Sequence, residues 1–298
     1  MSLTDRVLVL RADSTAAVGA GHVMRLAALA ESWRAAGGRV GLAGEITQRF
    51  VQDRIDGIGV EPWPLDGVGK ADVLVVDTYH EPTRAQLGAE AAPRLRVLVD
   101  DVGLPVPAGY DVVWNPNPYP GKHLYPHFSG AVLEGPQHVP LRSTLPQWRR
   151  NGHDETMVSL GGGTPNPDVV DALQALSRLD HAGSFATTLA RAPEGWRRIA
   201  PDAFWSEAAT AARLVTAAGT TAWEAAAVGI PVVLLQTAPN QSLVYTWTRD
   251  LGVPAVNAAL GDSEYLAQQI RVLLPAANPL PRLTDGSGRV VERLAALL

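Results

Sequence analysis

Short, continuous runs of branched apolar residues recur along this chain of 298 residues and indicate its fold class. Val73–Val76 and Arg96–Val99 each end directly before an aspartate, and Val7–Leu10 ends before a loop that carries glycines. Runs of this kind, without polar alternation, are typical of strands buried on both faces of a parallel sheet. Longer amphipathic stretches separate the runs, so the first half predicts alternating strands and helices.

The same alternation starts again after a polar, interrupted stretch at Leu145–Thr156. The predicted strands are Val7–Leu10, Arg39–Leu42, Val73–Val76, Arg96–Val99, Val112–Trp114, Met157–Leu160, Phe185–Leu189, Arg213–Thr216 and Val232–Leu235. The predicted helices are Val23–Ala36, one that opens at Asn166-Pro167-Asp168, one that ends at Val228, Ser242–Leu251, Tyr265–Leu274 and Gly288–Leu298. We therefore predict an α/β protein of two Rossmann-like, doubly wound parallel-sheet domains, residues 1–148 and 149–298. Ligands of such sheets bind beyond the carboxyl ends of the strands, so we expect the site in a cleft between the domains.

The composition excludes several classes of protein. The formal net charge is -5, and no basic excess is available for binding a nucleic-acid backbone. The chain has no cysteine, which excludes disulfides, thiolate catalysis and cysteine-zinc sites. No apolar run is long enough to span a bilayer, and the amino-terminal segment lacks the features of a signal peptide. We expect a cytoplasmic protein without membrane insertion, and the sequence leaves its oligomeric state open.

Gly19-Ala20-Gly21-His22, between the first strand and the first helix, is the first candidate site. Glycines let a ligand approach the backbone, and free N–H groups at a helix start attract phosphate. An imidazole at this position could accept a proton at neutral pH. The alternative is that the glycines only shape the turn and that His22 has no chemical role.

A second candidate lies in Gly219-Thr220-Thr221 and Glu224, again between a strand and a helix. Small and hydroxyl residues at a helix start suit a diphosphate, and the carboxylate of Glu224 could accept hydrogen bonds from a ribose diol. The alternative is a capping box formed by Thr221 and Glu224, which would occupy the same carboxylate.

Three further segments are weaker candidates. Asn240-Gln241 follows a strand, and its amides could donate to a sugar or a phosphate, although Asn240 could equally be a helix N-cap. Tyr79, at a strand end, could position substrate or simply be a half-buried packing residue. Gly161-Gly162 follows a strand in the manner of a close-approach loop. The pair His123 and His127 lacks a clear third ligand, so we predict no metal and no cofactor.

These segments together resemble one known family, the nucleotide-sugar hydrolases of pseudaminic acid biosynthesis and the related spore-coat polysaccharide proteins. The resemblance lies in the order and spacing of Arg11-Ala12-Asp13, Gly19-x-Gly21-His22-Val23-Met24-Arg25, Asp77-x-Tyr79, Asp100-Asp101, Asn115-x-Asn117, Gly135-Pro136-x-His138-x-Pro140-Leu141-Arg142, Gly161-Gly162, Ala218 to Glu224 and Asn240-Gln241. It implies the glycosyltransferase-B fold and a distant likeness to the N-acetylglucosaminyltransferase that forms lipid II.

The resemblance also implies a role for each residue. His22 would activate water near the anomeric carbon, with Tyr79 and Asn240 lining the reacting sugar. The predicted nucleotide and diphosphate ligands are Gly21, Gly161, Gly162, Gly219, Thr220, Thr221, Glu224 and Gln241, and the predicted sugar ligands are Asp13, Arg25 and Asn115. The expected partner is a UDP-linked amino or deoxy sugar.

Two departures from the family pattern leave the sugar open. Thr164 stands where an acidic residue usually follows the second-domain glycines, and His138 stands where a tyrosine is usual. The principal hypothesis is hydrolysis that releases UDP, and the alternative is a glycosyltransferase with the same donor site. A catalytically inactive nucleotide-sugar sensor and a dinucleotide-dependent oxidoreductase are less favoured, the latter because Gly19-x-Gly21 lacks the third glycine of that fingerprint.

Overall fold

The computed structural model describes residues 2–90, 92–119, 124–149, 154–179 and 183–298. The chain divides into two compact units, one formed by Met1–Ser143 with Thr284–Leu298 and the other by Thr144–Leu283. The strands are β1 (Val7–Arg11), β2 (Arg39–Leu42), β3 (Glu61–Pro62), β4 (Val73–Val76), β5 (Leu95–Val99), β6 (Val112–Trp114), β7 (Ala131–Leu133), β8 (Thr156–Ser159), β9 (Gly183–Ala186), β10 (Trp196–Ile199), β11 (Arg213–Ala217), β12 (Val232–Gln236) and β13 (Ala255–Asn257). The α-helices are α1 (Gly21–Ala35), α2 (Arg49–Gly57), α3 (Glu81–Glu90), α4 (Pro167–Arg178), α5 (Phe204–Ala208), α6 (Thr220–Val228), α7 (Ser242–Asp250), α8 (Ser263–Leu273) and α9 (Ser287–Leu297).

The first unit contains a parallel sheet of seven described strands in the order β3-β2-β1-β4-β5-β6-β7. Strand order reverses between β1 and β4, where Leu8 pairs with Val73 and Arg11 with Val76. This is the order of a doubly wound sheet, and the reversal creates a crevice at the carboxyl ends of β1 and β4. The predicted fold class is therefore confirmed for this unit.

Alternate residues of the central strands cover opposite faces of the first sheet. Val73 and Val75 belong to the larger core, together with residues of α1, α2 and α9. Leu74 and Val76 belong to the core on the other face. A strand that packs on both sides needs apolar side chains at every position, which explains the continuous run VLVV.

The carboxyl-terminal helix α9 packs in the first unit, because Val290 and Leu294 share the core of α1. The sequence-based boundary had assigned all residues from 149 to 298 to the second domain, so the two divisions differ over Thr284–Leu298. Of the polar, interrupted stretch at Leu145–Thr156, residues 150–153 lie outside the described part of the chain.

The second unit repeats the arrangement with six described parallel strands in the order β10-β9-β8-β11-β12-β13. Helix α4 begins as its sequence predicts, with Pro167 in the first turn and the side chain of Asn166 accepting from the N–H of Asp168 at 2.8 Å. Its Leu173 and Leu176 pack with residues of α8 over the central strands. The reversal of strand order lies between β8 and β11.

Candidate active site

The strand reversal of the first unit brings His22 and Asp77 together. His22 is the second residue of α1, which follows β1, and Asp77 comes directly after β4. Nδ1 of His22 lies 2.5 Å from Oδ1 of Asp77, which is 1% exposed. An ionised carboxylate only accepts hydrogen bonds, so Nδ1 carries the proton. The lone pair of a neutral imidazole then resides on Nε2, which is the arrangement of a general base.

Asp77 is held in its ionised form. Burial by itself would raise the pKa of this carboxyl, but the charges of Arg25 and His22 and hydrogen bonds from both side chains outweigh burial. The pKa of Asp77 therefore lies far below its usual range. The carboxylate remains available to accept from His22 across the neutral range and to stabilise an imidazolium.

Arg25, one helical turn after His22, connects two carboxylates. Its Nε lies 2.6 Å from Oδ2 of Asp77, and its Nη2 lies 2.6 Å from Oδ1. Its Nη1 lies 2.8 Å from Oδ2 of Asp101, which follows β5. Arg25 is 7% exposed. Its guanidinium is therefore buried among these carboxylates, and its role as a sugar ligand stays a prediction.

Tyr79 completes this group of side chains. Its hydroxyl donates to Asp101, at 2.8 Å from Oδ1 and 2.9 Å from Oδ2. Its ring meets the imidazole of His22 edge to face, with 4.9 Å between the centroids. His22, Asp77, Arg25, Asp101 and Tyr79 form a closed circuit of contacts, which we call the His22 cluster.

The His22 cluster carries one guanidinium and two carboxylates. With a neutral imidazole the cluster has one excess negative charge, and protonation of His22 removes that excess.

The depressed pKa of Asp77 predicts an acid-sensitive fold. A carboxyl that is more acidic in the folded state stabilises the fold above its unfolded pKa of about 3.9, and the stabilisation is lost as pH falls through the folded pKa. We expect the unfolding midpoint in urea to fall more steeply between about pH 5 and pH 3 for the natural protein than for Asp77→Asn. If the urea midpoint falls equally steeply with pH in both proteins, the lowered pKa of Asp77 is contradicted.

The neighbouring aspartate, Asp100, has a structural role. Its Oδ1 receives Arg84 at 3.2 Å, and its Oδ2 receives the N–H of Gly103 at 2.6 Å and the hydroxyl of Tyr125 at 2.9 Å. Asp100 is 1% exposed and Arg84 is 2% exposed. These contacts fix the loop after β5, and the loop in turn presents Asp101 to Arg25.

The other predicted residues of the first unit lie around the cluster. Oδ1 of Asp13 accepts from Arg11 at 2.5 Å and from the N–H of Glu45 at 2.8 Å. Burial raises the pKa of Asp13, but these hydrogen bonds and the charges of Arg11 and His22 outweigh burial and hold the pKa below its ordinary value. Gly21 is exposed at the start of α1, with open space where a Cβ would stand.

Asn115 follows β6 and is 1% exposed, and its side-chain oxygen accepts from the N–H of Asn117 at 2.9 Å. This contact closes a turn, and the role of Asn115 as a sugar ligand stays a prediction.

The candidate residues of the second unit lie in the loops after three neighbouring strands. Gly161 and Gly162 follow β8, and Gly161 has φ +89, with open space around it. Gly219 follows β11 and is the N-cap of α6, again with open space where a Cβ would stand. Asn240 lies in a short 3₁₀ turn, Pro239–Gln241, after β12. The carboxyl ends of parallel strands lie on the same side of a sheet, so these loops belong to one end of the unit.

The start of α6 does not form the capping box that its sequence allows. The helix begins at Thr220, its N-cap is Gly219, and no side chain caps it. Thr221 therefore lies two residues after the N-cap position. Glu224 is 4% exposed and sits one turn into the helix. The capping-box alternative is wrong for this segment.

The N-cap alternative for Asn240 is also wrong, because the N-cap of α7 is Gln241. The side chain of Gln241 is committed to its own loop, since Oε1 accepts from the N–H of Thr237 at 2.7 Å and from its hydroxyl at 3.2 Å. This contact fixes the turn that carries Asn240.

Asp77 and Asp101 were not predicted as site residues, although the sequence contains a pattern that indicates them. Asp77 directly follows the buried strand β4, Asp101 follows the buried strand β5 after one intervening residue, and both strands lie on the β4 side of the reversal. A buried run that ends in an acidic residue at a predicted switch point is the pattern that would have found them.

Two further properties concern the part of the chain that the structure describes. Within that part of the chain no helix is long and apolar enough to cross a membrane. The same residues contain no group of three or more His, Asp or Glu side chains arranged for a metal ion. His123, one of the two histidines with helical spacing, lies outside the described residues.

No protein-family model matches the chain, and no curated protein matches it by sequence. Solved structures do match it. UDP-GlcNAc 2-epimerase from Neisseria meningitidis bound to UDP-GlcNAc superposes with a TM-score of 0.67 at 11% identity, over 98% of this chain and 100% of that one. Spinosyn rhamnosyltransferase SpnG complexed with thymidine diphosphate gives 0.61 at 17% identity, over 98% and 95%. MurG from Acinetobacter baumannii gives 0.59 at 14% identity, over 98% and 99%. The predicted glycosyltransferase-B fold class is confirmed, and identities this low show the fold alone.

Proposed function

We infer that the protein hydrolyses a nucleotide-activated sugar at its anomeric carbon, with His22 as the general base. The observation that carries this inference is the 2.5 Å contact between Nδ1 of His22 and the ionised Asp77. That contact places a proton on Nδ1, so a neutral imidazole held in this way has its lone pair on Nε2. A base of this kind takes a proton from water as the water attacks the sugar, and the bond between the anomeric carbon and the diphosphate breaks.

The loops of the second unit are the proposed nucleotide site. The start of α6, which no side chain caps, and the glycines after β8, around which there is open space, suit a diphosphate, whose charge a helix start stabilises. A diphosphate stabilised in this way leaves with little acid assistance. Thr220 and Thr221 supply hydroxyls, and Glu224 is the proposed ribose ligand.

A glycosyltransferase is the second candidate, because SpnG and MurG share the fold. In that reaction the same Nε2 would deprotonate an acceptor hydroxyl instead of water. The UDP-GlcNAc 2-epimerase shares the fold too, so the fold does not choose between the reactions. The choice depends on whether release of the nucleotide requires an acceptor.

The test is release of nucleoside diphosphate from a panel of UDP- and dTDP-sugars, with and without acceptor alcohols and sugars. Release in buffer alone supports the hydrolase. Release that starts only when an acceptor is added supports the transferase. Absence of release from every member, together with absence of UDP and dTDP binding by calorimetry, would overturn both.

The proposed ribose contact predicts that Glu224→Gln weakens UDP binding about tenfold, because hydrogen bonds to a charged group contribute about 1.5–3 kcal/mol. Calorimetric titration with UDP measures the change. The matched control is Glu207→Gln, which removes a carboxylate of the same unit that pairs with Arg197 at 3.1 Å on the surface. Equal UDP affinity in both variants and the natural protein would show that Glu224 does not bind the nucleotide.

A further inference from the structure

The guanidinium of Arg25 determines how the carboxylate of Asp77 is oriented. A guanidinium is planar and presents its N–H groups in a fixed fork, which matches both oxygens of a carboxylate. Nε and Nη2 occupy one such fork on Asp77, and each contact is 2.6 Å long. The fork leaves Oδ1 facing Nδ1 of His22 at 2.5 Å. Rotation of the carboxylate away from His22 would break two charged hydrogen bonds.

We propose that Arg25 is a positioning residue that holds Asp77 against His22 Nδ1 and balances the two carboxylates behind the base. The proposal rests on the proposed function, because it concerns the basicity and orientation of His22. Arg25 is 7% exposed and reaches Asp101 through Nη1, so it acts through other side chains and not on substrate.

The groups that face His22 come from four segments. Asp77 and Tyr79 follow β4, Asp101 follows β5, and Asp13 follows β1 and pairs with Arg11. Arg25, on α1 itself, places Nη2 at 3.3 Å from Nδ1 of His22. Removal of Arg25 leaves Asp77 and Asp101 without their shared counter-charge, so the excess negative charge stabilises the imidazolium. A protonated His22 cannot act as a base.

The test is the titration of the His22 ring measured by NMR in the protein without substrate, with its signal assigned by loss in His22→Ala. We expect Arg25→Met to raise the titration midpoint of His22 by about 1 unit or more, the usual effect of a charge at this distance. Arg25→Lys restores the charge without the fork, so its midpoint should return towards that of the natural protein. The control is Arg6→Met, which also removes one positive charge from an ion pair with an aspartate, Asp72. Asp72 lies at the amino end of β4, whereas Asp77 lies at its carboxyl end, so this variant should leave the midpoint of His22 unchanged.

Asp101→Asn is the second variant, and its expected effect has the opposite sign. It removes one negative charge behind the base, so the midpoint of His22 should fall. If Arg25→Met does not fold, Arg25→Gln, which also removes the positive charge but keeps a hydrogen-bond donor, takes its place and should raise the midpoint in the same way. Midpoints equal to that of the natural protein in the folded variants would overturn the proposal.

The titration needs no substrate, so its failure is distinguishable from failure of the proposed function. Shifted midpoints with no release of nucleotide from any sugar would leave the role of Arg25 standing and overturn the hydrolase. If His22→Ala abolishes release but the midpoints do not shift, the proposed function stands and the role of Arg25 is overturned.

Discussion

His22→Ala is expected to lower the rate of nucleotide release by about 10²–10⁴-fold, which is the usual contribution of a positioned general base. That factor corresponds to roughly 3–5 kcal/mol of activation free energy. UDP affinity should persist, because the proposed nucleotide ligands other than Gly21 lie in the second unit and the substitution leaves Gly21 in place. Steady-state rates on the best substrate of the panel, with calorimetric titration of UDP, measure both quantities.

His80→Ala is the matched control for this prediction. His80 follows Tyr79 by one residue, is exposed, and its Nδ1 lies 2.8 Å from the hydroxyl of Thr83 at the start of α3. We expect its rate of release to stay close to that of the natural protein. Full activity in His22→Ala would remove His22 from the mechanism, and a joint loss of UDP binding would point to a structural effect.

Asp77→Asn is expected to have the second-largest effect, a loss of about 10²-fold or more in the rate of release. An amide can donate its N–H₂ to Nδ1, which moves the imidazole proton to Nε2 and removes the lone pair that takes the proton from water. The substitution also leaves Arg25 without one of its counter-charges in a buried site, so the free energy of unfolding should fall.

Asp72→Asn separates these two effects. Asp72 pairs with Arg6 at 2.6 Å and also has a pKa held below its ordinary value, with burial opposed by the hydrogen bond from Val7 and the contacts with Arg6. It precedes β4, whereas Asp77 follows it, so its loss should reduce stability without reducing the rate of release. An Asp77→Asn protein as active as Asp72→Asn would contradict the proposed tautomer of His22.

The central strands could be predicted from sequence because both faces of each are buried. Arg39–Leu42, Val73–Val76 and Val112–Trp114 were predicted with the bounds that the structure gives, and β1, β5, β8, β9, β11 and β12 were predicted within a few residues. The strands that sequence reasoning missed are β3, β7, β10 and β13, which are the outermost strands of the two described sheets.

Edge strands lack the continuous apolar signal because one neighbour is missing and solvent covers part of each. The strand β10 has the sequence WRRI with its two arginines exposed, and β3 consists of an exposed glutamate and proline. Polar residues and proline are the ordinary composition of an edge. Such segments become strands through pairing with a neighbour, which a local pattern does not reveal.

In the candidate site too, local sequence patterns indicated some residues, whereas others depend on the order of the strands. His22 was predicted from its position at a helix start and Tyr79 from its position at a strand end, and the structure brings them into edge-to-face contact. Asp77 and Asp101 were not predicted as site residues, since their meeting with Arg25 depends on the order of strands in the sheet. The sugar-ligand roles of Arg25 and Asn115 stay predictions, and the burial of these two side chains could not be deduced from spacing alone.

The measurement that tests the central claim most directly is the fate of ¹⁸O when nucleotide release proceeds in ¹⁸O-labelled water. Attack of water on the anomeric carbon places the label in the free sugar and leaves the UDP unlabelled. The phosphate oxygens of UDP do not exchange with water under these conditions, so mass spectrometry of the UDP gives the decisive reading. The account predicts unlabelled UDP, formed without any added acceptor. Labelled UDP would show attack at phosphorus and would contradict hydrolysis at the anomeric carbon.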